Sequence, residues 1–156
     1  MRYSARPLPP YAHMPGTTPH PRRDVSGHSH GITEPASGSW DPEAWRGNEL
    51  WLHAADLFNR GYWWECHEAL EALWRAAPRG AVERRFVQGL VLVAAAYLNR
   101  ARGKPAADRQ AQRGLERMDA AAPAFMGLDV GAFARVVRAD LASGGMEARV
   151  RLEAAA

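Results

Sequence analysis

Residues 86–98 read Phe86-Val87-Gln88-Gly89-Leu90-Val91-Leu92-Val93-Ala94-Ala95-Ala96-Tyr97-Leu98. Apart from Gln88, every residue in this run is apolar or small. A bilayer crossing needs about 18–20 such residues, so the run is too short to span a membrane. It predicts instead a helix buried on most sides within a small protein. Gly89 and Ala94-Ala95-Ala96 carry little side-chain bulk, which lets neighbouring helices approach closely. Polar residues extend the helix to about 81–102. Pro78 and Gly80 punctuate it before, and Gly103 and Pro105 after.

Working outward, the same helical spacing recurs four more times. Asp41-Pro42 reads as an N-cap followed by proline at the first helical position. Leu50, Trp51, Ala54, Leu57 and Phe58 then mark one face of a first helix that Gly61 stops. A second helix is expected over 62–76. A fourth, over 105–121, shows Ala107, Ala111, Leu115 and Met118. A fifth, over 130–142, shows Val130, Phe133, Ala134, Val137 and Leu141. No segment alternates like a strand for six residues. Short connections favour antiparallel neighbours. The expectation is an all-α compact bundle of about five helices around a central, buried third helix. It forms a single domain over 40–145, with 146–156 frayed or a short helix.

Composition changes near residue 40. Residues 1–39 hold seven of the eleven Pro and four of the six His, with almost no aliphatic periodicity. Such a segment buries too little surface to offset its ordering entropy, so a disordered or loosely draped tail is expected. No hydrophobic stretch follows the first Arg, so it does not read as a secretory signal, and a cytoplasmic protein is expected. The chain of 156 residues has a formal net charge of +3. Arg2, Arg6, Arg22 and Arg23 against Asp24 and Glu34 place most of that excess in the tail. The remainder is nearly neutral, so nucleic acid ranks last among the partners considered. The single Cys excludes an internal disulfide and a four-thiolate zinc site. The tail histidines read as adventitious metal ligands.

The second helix carries the chemistry. It reads Tyr62-Trp63-Trp64-Glu65-Cys66-His67-Glu68-Ala69-Leu70-Glu71-Ala72-Leu73-Trp74-Arg75. At about 100° per residue, Tyr62, Trp63, Cys66, Ala69, Leu70 and Leu73 share the apolar arc. Cys66 is thus a buried structural thiol. His67 sits at the arc's margin with Glu71 one turn on, and Glu68 lies in a wetter sector about 100° from His67. Three readings stay open. In the first, Glu71 accepts a hydrogen bond from His67, extended to Gln88, as a buried polar cluster that registers two helices. In the second, His67-Glu68-x-x-Glu71 resembles the zincin pattern with Glu71 in place of the second His. His67 and Glu71 would then hold a divalent metal with Glu68 as base. That reading lacks a third ligand, and outside the tail the one other His is His53, near Asp56. In the third, His67, Glu68, Glu71 and Gln88 bind or protonate a small molecule in a metal-free pocket.

The six Trp all lie within residues 40–74. Trp64 falls on the polar sector, which marks a partner surface, a pocket wall, or a ring covered by the tail. Asn59, Tyr62, Trp64, Trp74 and Arg75 are the candidate binding residues. The leading expectation is a binding or interaction module that self-associates as a homodimer, meets a protein partner or takes a small ligand. The alternative is a hydrolase-like enzyme or metal-binding protein.

Two ordered blocks carry a family resemblance. The first is Phe58-Asn59-x-Gly61-Tyr62-x-x-Glu65-x-His67-Glu68-x-Leu70-Glu71-x-x-Trp74-Arg75. The second is Gln88-Gly89-Leu90-Val91-x-Val93-Ala94-Ala95-Ala96-Tyr97, followed by Arg102-Gly103. Over about 50–120 the chain resembles DUF309, a bacterial and archaeal family of unknown function. The resemblance implies a compact all-α fold and no established activity. The family commonly has a His after the position of Tyr97, where this chain has Leu98.

Overall fold

The computed structural model describes residues 1–34 and 36–154. Its helices are α1 (Glu49–Asn59), α2 (Trp63–Ala76), α3 (Val82–Ala101), α4 (Ala107–Met118) and α5 (Val130–Ser143). Helix α3 packs between α2 and α4 and buries Phe86, Val87, Leu90, Val93, Ala94 and Tyr97. The expected bundle around a central third helix is the observed fold. None of the helices is long and apolar enough to cross a membrane.

The close approach expected at Gly89 occurs against α4. A Cβ on Gly89 would lie 2.5 Å from the Gly114 carbonyl oxygen and 2.4 Å from Met118 Cγ. Aromatic side chains fill the space around α3. Trp51 meets Phe86 edge-on at 5.7 Å between ring centroids, and Phe58 meets Tyr97 at 5.5 Å.

The first helix differs from expectation. Pro42–Gly47 forms a separate 3-10 turn capped by Asp41, and Asn48 leaves helical geometry at φ −85°, ψ 89°. The Asn48 side chain then accepts from the Trp51 N–H at 3.0 Å and starts α1. Two local caps in succession thus break what periodicity alone reads as one helix. The fourth helix likewise ends early, with a 3-10 turn over Asp119–Ala121.

A two-strand hairpin joins α4 to α5. Strands β1 (Ala124–Phe125) and β2 (Leu128–Asp129) are too short to leave an alternating pattern. Met126 and Gly127 turn between them with φ of 47° and 77°. A Cβ on Gly127 would lie 2.4 Å from the ring of Trp45, so glycine is required there twice over.

Both ends of the chain lie against the helices. The stretch after Gly144 is neither helical nor frayed. Leu152 bridges Leu128, and Ala148, Val150 and Leu152 are buried. Asp140 accepts from the N–H groups of Glu147 and Ala148, both at 2.9 Å, and from the Tyr97 hydroxyl. The segment before residue 40 is irregular but laid against α1 and α2. The Asp56 carboxylate, fully buried, accepts the Tyr3 and Ser4 N–H groups at 2.9 Å each. Arg2 and Arg60 flank it at 3.5 Å. Of the disordered and loosely draped states expected for this segment, its described residues take the draped one, held by specific anchors. Carboxylates of the domain take up its backbone donors, and its prolines reduce the entropy lost on ordering. Residue 35 of that segment and residues 155–156 of the C-terminal stretch lie outside the described residues.

Candidate functional site

The polar face of α2 sits under the N-terminal segment. Glu65 is the hinge of this contact. Its carboxylate is 6% exposed and accepts the His13 N–H at 2.7 Å and 3.1 Å. The His28 ring approaches from the same segment, with Nε2 at 3.8 Å from Glu65 Oε2. Burial pushes the Glu65 carboxyl up to about 7. Burial lowers the pKa of His13 and His28, so both imidazoles favour the neutral form. The side chain of His28 is only 4% exposed, and its Nε2 has no hydrogen-bond partner.

Beside Glu65 lies a cleft of about 300 Å³. Leu50, Leu57, Ala69 and Ala72 give it an apolar floor, and Trp64 stands on its wall. His28, His53, Glu65 and Glu68 supply polar groups, and Arg6 and Arg22 reach it from the segment. His53 is held toward its neutral form by burial, and its Nδ1 also lacks a partner. Trp64 stacks edge-on against His13 at 5.2 Å and His20 at 5.6 Å between centroids. Of the alternatives open for this ring, cover by the tail and a place on a pocket wall both describe what is seen.

The three residues of the second-helix motif meet. His67 Nε2 lies 3.7 Å from Glu71 Oε1, and Nδ1 lies 3.8 Å from Glu68 Oε1. The reading of a buried His67–Glu71–Gln88 cluster does not hold. The side chains of His67 and Glu71 are 28% and 26% exposed. Gln88 faces α4, where its Oε1 accepts from Arg117 at 3.1 Å. Glu68 is not set apart in a separate sector, because its flexible side chain swings toward His67. The His67 imidazole beside it holds the Glu68 carboxyl below its ordinary range.

The remaining candidates divide. Asn59 clamps the C-terminal stretch: its Nδ2 donates to the Val150 carbonyl at 2.8 Å, and its Oδ1 accepts the Val150 N–H at 2.7 Å. Tyr62 donates to the Pro9 carbonyl at 3.0 Å and ties down the N-terminal segment. Trp74 lies under the Arg84 guanidinium at 4.4 Å, away from the cleft-lining residues. Arg75 is exposed and pairs with Glu71 at 2.9 Å. Cys66 is buried, and burial pushes its thiol pKa up, as expected for a structural thiol.

Sequence reasoning missed Glu65, His28 and Arg6, and gave His53 no place in a pocket. The available signal was Trp64 beside Glu65 and Glu68 on a nominally wet face, an arrangement that calls for cover.

Residues 51–110 match the family model DUF309, described as a domain of unknown function. No curated protein matches the chain.

Proposed function

We propose a small-molecule-binding module, from the cleft laid over the helices of residues 51–110, the stretch that matches DUF309. The observation that supports this reading is the combination of walls around one cleft. An apolar floor from α1 and α2 is roofed by a segment carrying His28, whose buried Nε2 has no hydrogen-bond partner. Ligand sites are concave, mostly apolar and marked by a few convergent polar groups. A desolvated polar atom without a partner costs about 1–3 kcal/mol, so a ligand that supplies one is favoured. Glu65, titrating near neutrality, can give or take a proton beside such a ligand. A cleft of about 300 Å³ suits a compact molecule with an apolar body and one or two hydrogen-bonding groups.

The test is a thermal-shift screen of the full chain against small amphiphilic fragments, followed by imidazole ¹⁵N spectra. Hits are expected to move the His28 and His53 resonances and to lose binding in Ala72→Phe, which fills the floor. Hits that leave both imidazoles unmoved, or that bind Ala72→Phe as well as the parent, would sink the reading. So would a screen without hits.

A further inference from the structure

The second-helix motif has a geometry of its own, which meets the cleft at Glu68 and Arg22 but not at His67 or Glu71. One donor atom each from His67, Glu68 and Glu71 can be chosen so that all lie within 4.8 Å of one another. The sequence pattern alone offered two ligands, His67 and Glu71, and assigned Glu68 to proton transfer. In the folded chain Glu68 turns back toward the imidazole and becomes a third.

The two carboxylates flank the imidazole, Glu71 at Nε2 and Glu68 at Nδ1, so an ion held by one ring nitrogen draws the other carboxylate round to it. Glu71 presents Oε1 to His67 while its Oε2 is held by Arg75 at 2.9 Å. Glu68 presents Oε1 to His67 while its Oε2 faces Arg22 at 3.8 Å. The outer oxygen of Glu71 is thus hydrogen-bonded by an arginine, that of Glu68 lies only within ion-pair range of one, and each inner oxygen faces the imidazole. Metal-ligating carboxylates are characteristically braced through their second oxygen in this manner. Arg75 comes from the next turn of α2, whereas Arg22 arrives from the N-terminal segment. The bracing is therefore a product of tertiary structure as well as of helix spacing.

We propose that His67, Glu68 and Glu71 form a binding site for a first-row divalent cation. One imidazole and two carboxylates suit Mn²⁺, Fe²⁺, Co²⁺ or Zn²⁺. Calcium prefers an all-oxygen shell, and copper(I) prefers thiolate or thioether ligands. Ligand atoms on such an ion stand about 3.0–3.4 Å apart, given bonds of about 2.0–2.2 Å. The part-exposed side chains close that gap by rotation, with one carboxylate swinging round to the ring nitrogen that holds the ion. Three protein ligands leave further positions for water or a substrate group, the arrangement of an open metal site. Helical spacing alone brings His67 and Glu71 together, so the site stands whether or not the cleft binds a small molecule.

The experiment uses the full chain, stripped with EDTA and titrated with Mn²⁺ under electron paramagnetic resonance, with Zn²⁺ as competitor. One Mn²⁺ per chain is expected. Affinity should fall at least about ten-fold in His67→Ala and in Glu71→Gln. It should stay unchanged in His30→Ala, which tests the N-terminal histidines, and in Ala72→Phe, which tests the cleft. Circular dichroism checks that each variant retains its helices. Binding that survives His67→Ala, binding lost in His30→Ala, or no binding at millimolar Mn²⁺ overturns the proposal.

Discussion

Replacing Glu65 with Gln should abolish a pH dependence that the fold itself creates. Burial holds this carboxyl at about 7 instead of its ordinary 4.5. Below pH 4.5 it is protonated in both folded and unfolded chains and adds nothing. As pH rises from 4.5 to 7 the unfolded chain releases its proton while the folded chain keeps it. Stability is therefore lost across that window, at about 1.4 kcal/mol per pH unit. The full interval amounts to about 3 kcal/mol at most. Glutamine has the same shape, can still accept the His13 N–H, and does not titrate. The stability of Glu65→Gln relative to the parent should thus rise by about 3 kcal/mol between pH 4.5 and 7.5. The buried His13, His28 and His53 have lowered pKa values, so they lose stability as pH falls below 6.5. Their effect is common to both proteins and cancels in the difference, apart from the coupling of Glu65 to His28, which lies 3.8 Å away. Urea unfolding at pH 4.5, 6.0 and 7.5 measures it. A difference that stays flat within about 0.5 kcal/mol would show that Glu65 is not desolvated and that the segment does not cover it.

Other substitutions test the contacts that hold this arrangement. Asp56→Ala strands the Tyr3 and Ser4 N–H groups and should cost about 2–4 kcal/mol, with those amides exchanging rapidly by NMR. Asn59→Ala removes both bonds to Val150 and should destabilise by about 1–3 kcal/mol, exposing residues after 144 to limited proteolysis. Gly89→Ala drives a methyl group into the Gly114 carbonyl and Met118, so thermal unfolding should show a loss of about 2 kcal/mol or more. Gly38→Ala, with open space around it, should leave the melting temperature within about a degree.

Much of the bundle was legible residue by residue. The run from Phe86 to Leu98 announces a buried helix because no other element hides so many consecutive apolar residues at that length. Gly61, Gly103 and Gly144 stop their helices at positive φ, a local requirement that glycine meets best. The break at Asn48 was less legible. A cap residue inside an otherwise helical pattern shows itself only when its side chain turns back on the Trp51 N–H. The short hairpin after α4 was invisible because two-residue strands have no period.

The site divides in the same way. His67 and Glu71 could be paired from sequence, since positions four apart share a helix face. Gln88 could not be placed, because a mostly apolar helix has no outward face to read, and α4 claimed it through Arg117. The contacts of His28 and Arg22 with α2 lay further out of reach. They are made by an irregular, proline-rich segment whose order comes from backbone N–H groups given to the carboxylates of Asp56 and Glu65. Backbone donors are the same in every non-proline residue, so such anchoring leaves no compositional trace. The sequence by itself determined the helices, the glycine stops that end several of them and the spacing of the second-helix motif, because these rest on interactions a few residues long. Tertiary structure alone decided the roof over α2, the cleft beneath it and the pKa of Glu65. Each depends on which distant groups exclude water from that helix face.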